Sequence, residues 1–205
     1  MTFNFELLLS GLTDDADDIS FETTQPLGCA AILVPLIEHK GVASLLLTQR
    51  AFNMRYHAGE VAFPGGMWEQ GDDFPRSTAL REAAEEVALN PKDVNVLGLL
   101  PTVYTGNNTK VVPVVGVVSS PQLSLACNPA EIESIFMIPL TELMSDRRVR
   151  TDVFLRREKH SWAPAYQYQG YEIWGMTAGV IKELLVRCFK AEFPKEHSVP
   201  EKLWK

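Results

Sequence analysis

The sequence predicts a mixed α/β fold in which a mixed β-sheet lies between helices. Aliphatic runs of strand length recur at 30–37, 42–48, 94–100 and 110–118, and such runs bounded by turn residues read as buried strands. Two substantial helical segments are interleaved with them, one through Leu80–Val87 and one over Thr177–Phe189. Strands alternating with helices give a sheet covered on both faces. With 205 residues and 46% hydrophobic content, the chain has enough apolar material for one domain over 1–205, of which 1–27 is an N-terminal extension.

The elements follow in order. Residues 3–11 are a short apolar-rich helix candidate that ends at Asp14, Asp15, Asp17 and Asp18, an acidic run that reads as a solvated loop and helix cap. His39-Lys40-Gly41 joins the strands Ala30–Ile37 and Val42–Thr48 by a turn. A glycine-rich loop from Gly65 leads into a helix that Pro91 stops. Val94–Leu100 and Lys110–Val118 are strands separated by Thr105-Gly106-Asn107-Asn108. Ile135–Ile138 is a strand, and Pro139 opens a short helix. Tyr166–Trp174 reads as one late strand ahead of the last amphipathic helix.

Composition excludes several classes of function. The net charge of −7 argues against a general nucleic-acid-binding surface, which is normally basic, but not against a nucleotide substrate. Cys29, Cys127 and Cys188 are scattered and odd in number, so they read as small hydrophobes of a reducing compartment. No apolar run reaches membrane-spanning length and the N-terminus lacks a basic leader, which gives a cytoplasmic expectation with no membrane partner.

The chemistry is concentrated in Arg81-Glu82-Ala83-Ala84-Glu85-Glu86. At about 100° per residue, Glu82, Glu85 and Glu86 share one helical face. Leu80, Ala83, Ala84 and Val87 form the opposite stripe, which packs on a core. On this reading Glu86 is exposed and holds no part of the core. Like charges at i, i+4 destabilise a helix by about a few tenths of a kcal/mol per pair, so the face calls for a cation. Hard divalent ions take carboxylate oxygens together with substrate phosphates. The alternative is a solvated acidic face neutralised in part by Arg81.

With Gly66 and Asp72 ahead of it and Leu89 behind, this segment resembles the Nudix box. There a glycine and an acid precede Arg-Glu-U-x-Glu-Glu-x-Gly-U, U being a bulky aliphatic residue. The match departs from the pattern in four places: Asp72 stands for Glu, one residue is inserted before Arg81, Ala83 is small, and Ala88 replaces the second glycine. A glycine at a helix end supplies a left-handed conformation that Ala adopts at a cost. Upstream, Leu46-Leu47-Thr48-Gln49-Arg50, Arg55 and His57 through Gly66 resemble the signature of the coenzyme A pyrophosphatase branch. Ile173-Trp174-Gly175-x-Thr177-Ala178 resembles the opening of that branch's last helix.

The resemblance implies an α/β/α sandwich and a Mg²⁺- or Mn²⁺-dependent pyrophosphohydrolase. Its metal residues are Glu82, Glu86, Glu85 and the Gly66 carbonyl, and Arg81 orients the carboxylates. Candidate bases are Glu85, Glu60, Glu131 and Glu133, with Glu60 alternatively bracing the loop. His57 is either a proton shuttle or a structural histidine. For the substrate, Arg50, Arg55, Gly65 and Gly66 are the binding candidates, and coenzyme A or an acyl derivative is the expected small-molecule nucleotide partner. ADP-ribose, a dinucleotide or an oxidised nucleotide is the alternative, and a non-catalytic nucleotide-binding module the alternative of another class. A second basic cluster, Arg147, Arg148, Arg150, Arg156, Arg157 and Lys159, reads as a solvated hairpin or homodimer surface. Tyr104, Trp162 and Tyr166 are adenine-stacking candidates or core aromatics.

Overall fold

A computed structural model describes residues 10–13, 28–39, 41–119, 123–156 and 159–204. Residues 3–9 of the helix candidate 3–11 and the aspartates at 14, 15, 17 and 18 lie outside them.

Strand β1 (Cys29–His39) turns through Gly41, at φ 76°, into antiparallel β2 (Val42–Arg50). The chain returns as β3 (Val61–Ala62) along the end of β2, then as β4 (Gly65–Met67) along β1. Helix α1 (Arg76–Val87) follows, then β5 (Val94–Leu99), the short β6 (Val103–Tyr104) and β7 (Lys110–Val118). Strand β7 pairs parallel to β1 over nine residues, from Cys29↔Lys110 to Ile37↔Val118. Parallel neighbours need a long crossover, and the crossover here carries α1. Strand β8 (Ile132–Pro139) adds antiparallel to β2 and leads into helix α2 (Leu140–Met144). The first sheet thus has eight strands and is mixed.

Both faces of this sheet are covered, which is why its central strands read as unbroken aliphatic runs. Ala31 and Leu33 of β1 pack with Ala79, Ala83 and Val87 of α1. Their alternates Ala30, Ile32, Val34 and Leu36 pack with Ala178, Ile181, Leu184 and Leu185 of helix α3 (Gly175–Phe189). Leu33, Leu36, Leu45, Leu46 and Leu47 are fully buried, each worth about 1.5–3 kcal/mol relative to exposure.

A second sheet of four strands has the order β11-β10-β9-β12, formed by β9 (Arg150–Arg156), β10 (Lys159–Tyr168), β11 (Tyr171–Ile173) and β12 (Glu201–Trp204). The single strand expected over Tyr166–Trp174 is instead a hairpin. Gln169 and Gly170 turn it with φ of 49° and 90°, the positive values a two-residue hairpin loop demands. The basic cluster does form a hairpin, but it is not a solvated one throughout. The Arg148 side chain is fully buried, bonded to Asp146 and to the Pro194 carbonyl. Arg150 pairs with Asp152 and Glu172, while Arg147 stays exposed beside Glu142. The side chains of Arg156, Arg157 and Lys159 lie outside the described set. Among the described residues, no helix is long and apolar enough to cross a membrane.

Helix α1 buries a different stripe from the one the sequence suggests. Thr78, Ala79, Ala83, Glu86 and Val87 are buried, whereas Leu80 and Ala84 are partly exposed. It ends at Ala88, which is left-handed at φ 57°, ψ 26° and donates its N–H to the carbonyls of Ala83 and Ala84. A Cβ in that conformation costs about 1 kcal/mol or more, partly offset by the greater freedom glycine loses on folding. Ala88→Gly is therefore expected to stabilise the fold by roughly 0.5–1 kcal/mol, read as a rise in thermal midpoint.

Candidate active site

The site begins where backbone lies against backbone. Strand β4 pairs Gly65 with Ile32 and Gly66 with Ala31. A Cβ on Gly65 would fall 2.4 Å from the Ala31 carbonyl oxygen and 2.6 Å from Ile32 Cα. On Gly66 it would meet the Glu82 carboxylate at 2.5 Å. At Gly65, where the clash is with backbone, only glycine permits the approach; at Gly66 a Cβ would displace the Glu82 carboxylate. The Gly65 N–H donates to Glu86 Oε2 at 3.1 Å, so two carboxylates of α1, one turn apart, rest on two consecutive glycines.

Arg81 ties the rest of the segment to them. Its Nη1 donates to Glu82 Oε1 at 3.0 Å and Glu85 Oε2 at 3.2 Å. Its Nη2 donates to Asp72 Oδ2 at 3.1 Å and the Met67 carbonyl at 3.0 Å, and Nε reaches both Asp72 oxygens at 3.3 Å. Thr78 Oγ1 and the Glu69 N–H donate to the same Asp72 carboxylate. One guanidinium thus pins the loop 67–72, through Met67 and Asp72, to Glu82 and Glu85 of the helix. The Asp72 bond chiefly raises the Arg81 pKa above its ordinary range. Burial would raise Asp72, but the bonds from Arg81, Glu69 and Thr78 outweigh it and hold the carboxyl below its ordinary value.

Glu82 and Glu86 behave in the opposite sense. Burial raises Glu82 despite the charge and hydrogen bond of Arg81, with Glu85 and Glu131 adding repulsion. Glu86 is only 3% exposed, not exposed as the helical wheel implies. Burial pushes it up to about 7, against the Gly65 N–H and the Arg50 charge, and Glu82 and Glu131 push it further. The wheel places three acids on one side, but β4 and the segments around it close over one of them. Glu85 remains mostly exposed.

Two groups from outside the box enter this field. Arg50, at the end of β2, acts on Glu86 and has a buried Nε with no hydrogen-bond partner. Glu131 precedes β8 and acts on both Glu82 and Glu86. It is placed by Asn128 and Ala126, whose N–H groups donate to the Glu86 and Val87 carbonyls at 2.9 and 3.1 Å, and by the Ala51 N–H, which donates to the Glu131 carbonyl at 2.8 Å.

The other sequence candidates sit further out. The Glu60 carboxylate accepts from His57 Nδ1 at 2.9 Å at the surface, and its backbone carbonyl accepts from the Arg50 N–H at 2.9 Å. Arg55 is exposed and stacks over Tyr56 at 5.2 Å, and Glu133 is exposed on β8. Tyr166 is core, Trp162 half-buried and Tyr104 exposed. The role of Asp72 as the anchor of Arg81 is the feature sequence reasoning did not single out. Its signal was an acid nine residues before the arginine, across a loop whose path spacing alone does not define.

The donors facing this space are carboxylate oxygens and backbone carbonyls, the set a hard divalent cation takes. Among the described residues no group of three or more His, Cys, Asp or Glu side chains is arranged to hold a metal ion by itself. Mg²⁺ in general keeps waters and uses one or two carboxylates together with substrate phosphates. A cation would also relieve the buried like charges of Glu82 and Glu86.

The fold and this arrangement are those of a Nudix hydrolase. The NUDIX domain family matches residues 28–160, and the chain belongs to that family. An uncharacterized Nudix hydrolase NudL of Citrobacter koseri is 41% identical over 160 residues, 77% of this chain and 81% of that protein. NudL of Escherichia coli K12 is 40% identical over 163 residues, with the same two coverages of 77% and 81%. A MutT/nudix family protein from Enterococcus faecalis shares the fold at TM-score 0.51 and 14% identity, over 79% of this chain and 62% of its own. Members of the family hydrolyse diphosphate linkages and generally use divalent ions such as Mg²⁺ or Mn²⁺.

The Glu86 environment has a measurable consequence in chelator-treated protein. Its pKa of about 7 lies above the ordinary 4.5, so the folded chain keeps a proton that the unfolded chain has released. That contribution is whole below the unfolded value and is lost as pH rises through the folded one. Denaturant unfolding is expected to show stability falling by on the order of 3 kcal/mol between about pH 5 and about pH 8. In Glu86→Gln, which keeps an acceptor for Gly65, that slope is expected to disappear and stability at the upper pH to rise.

Proposed function

We propose that this chain hydrolyses the diphosphate of coenzyme A or an acyl derivative, giving 3′,5′-ADP and a 4′-phosphopantetheine product. One observation carries the reading: the upstream block and the Nudix box are parts of one constellation. Gln49 Nε2 donates to the Gly59 carbonyl at 3.2 Å, Thr48 Oγ1 to the Ala62 carbonyl at 3.1 Å, and Arg50 faces Glu86. The block that resembles the coenzyme A branch is thus held together by its own hydrogen bonds, and through Arg50 it reaches the Glu86 carboxylate.

Glu82, Glu86, Glu85 and the Gly66 carbonyl are the proposed holders of Mg²⁺ or Mn²⁺. When bound, such an ion supplies an activated water and charge neutralisation on phosphoryl oxygens. Arg81 keeps Glu82 and Glu85 aimed while Asp72 holds Arg81. Gly65 and Gly66 leave room for a phosphate to approach the backbone, and Arg50 offers its unpartnered Nε–H to a phosphoryl oxygen. Arg55, exposed on the loop 51–60, is the proposed contact for an outer part of the substrate. Water adds to one phosphorus, the bridging P–O bond breaks, and the bridging oxygen leaves on the other phosphate. Glu131 is the proposed acceptor of the water's proton, because its charge acts on Glu82 and Glu86; Glu60, bonded to His57 at the surface, braces the loop. The free cysteines suit a cytoplasmic setting.

Coenzyme A, dephospho-coenzyme A, ADP-ribose and NADH, each assayed with Mg²⁺, Mn²⁺ or chelator, test the substrate. Metal-dependent release of 3′,5′-ADP with coenzyme A preferred is expected. Preference for ADP-ribose or NADH would overturn the coenzyme A assignment, and silence on every nucleotide diphosphate would favour the binding-module reading. Glu131→Gln is expected to lower kcat by about 10²–10⁴-fold with little change in KM, and undiminished kcat would remove it as the base.

A further inference from the structure

On the other side of β1 from β4, a cavity of about 360 Å³ lies between β6, the β9–β10 hairpin and α3. Its volume is that of a small-ligand pocket, about 300–1,000 Å³, and none of the residues assigned to the catalytic centre line it. Tyr104, Phe154, Trp162 and Met176 give it an apolar wall. Thr102, Ser161, Lys182 and Glu183 bring polar groups to the lining. Lys182 holds Nζ 4.1 Å over the Trp162 ring and 2.9 Å from the Trp162 carbonyl, to which it donates. Among the described residues, no carboxylate lies within ion-pair distance of it; Glu183, which also lines the cavity, is paired with Arg187. Thr102 has an Oγ1 that is buried with no hydrogen-bond partner. A buried orphan hydroxyl costs about 1–3 kcal/mol, which a ligand acceptor or donor would recover.

Helix α3 keeps this space open. Gly179, within the helix, costs roughly 1 kcal/mol relative to Ala. Its backbone does not require glycine, since an added Cβ would meet only Ala163 Cβ at 3.9 Å. Burial lowers the Lys182 amine, a cost that a bound anion offsets.

The sheet register places the cavity with respect to the catalytic centre. Met67 pairs with Ala30, Ala30 with Val111, and Val111 with Val103. Val103 lines the cavity, and Met67 follows Gly66, on which the Glu82 carboxylate rests. Three strand spacings of about 4.8 Å make this row roughly 14 Å long. The row lies on the α3 face of the sheet and Glu82 on the α1 face, so one arm of a diphosphate diester seated at Gly66 would reach the cavity by passing around the open edge of β4.

We propose that this cavity binds the phosphorylated nucleoside end of the substrate, Lys182 receiving the 3′-phosphate and Thr102 a polar group of the nucleoside. This rests on the coenzyme A reading and places recognition of the 3′-phosphate at α3.

The test titrates full-length, chelator-treated protein with adenosine 3′,5′-bisphosphate and with 5′-AMP, alongside hydrolysis of coenzyme A and dephospho-coenzyme A. Wild type is expected to bind the bisphosphate more tightly than 5′-AMP. Lys182→Met, which keeps the apolar stem over Trp162, is expected to weaken the bisphosphate at least tenfold and leave 5′-AMP unchanged. It should also erase the preference for coenzyme A over dephospho-coenzyme A. Gly179→Leu, which fills the cavity from a helix it does not weaken, should weaken both ligands without lowering the thermal midpoint. Unchanged bisphosphate affinity in both variants, or no bisphosphate binding by wild type, overturns the cavity assignment even where coenzyme A is hydrolysed. Bisphosphate binding that depends on Lys182 in a protein inert toward coenzyme A upholds the cavity and removes the substrate reading.

Discussion

Everything in the catalytic region depends on two missing Cβ atoms. Gly65 lies flush against the Ala31–Ile32 backbone, and Gly66 lies under the Glu82 carboxylate. The first contact lets β4 add to β1; the second lets α1 descend onto β4 until Glu86 reaches the Gly65 amide. A side chain on Gly65 would push β4 off β1 and carry the Gly65 amide away from Glu86, and one on Gly66 would displace the Glu82 carboxylate. The crossover that connects parallel β1 and β7 then has its direction set by a backbone contact, with Ala79, Ala83 and Val87 filling the interval beneath.

The charges over that contact divide into two populations. Asp72 and Arg81 satisfy one another, with five side-chain and main-chain partners fixing the guanidinium plane. Such fork geometry tolerates no lysine. Glu82 and Glu86 are different, because their burial is not matched by cations of equal reach. Their raised pKa values record unmet demand for positive charge. Arg81 has its bonds met and Glu86 does not have its charge met, although both belong to one short motif.

The fold was legible wherever burial was two-sided. β1, β2 and β7 are aliphatic because both faces are covered, and runs of that kind survive any error in register. The identity of the box residues was equally plain. What the helical wheel could not supply is which acid is covered, since that depends on β4, on the end of β2 and on the segment 126–131, remote in sequence. The second sheet was hidden for a related reason. Arg148 and Arg150 sit in or beside β9, where residue type argues for solvent, yet Asp146, Asp152 and Glu172 accompany them inward. A buried ion pair erases the hydrophobic pattern that announces a strand.

The hydrogen bonds from Ala126 and Asn128 to the Val87 and Glu86 carbonyls bear on how this region opens. The last turn of a helix ordinarily frays first, because its carbonyls lack partners. Here the same residue that offers its carboxylate to the site offers its carbonyl to the segment carrying Glu131. The helix end and that segment must then exchange their amide hydrogens as one cooperative unit. Breathing at either one scatters both acids together, so partly assembled states of the site are rare.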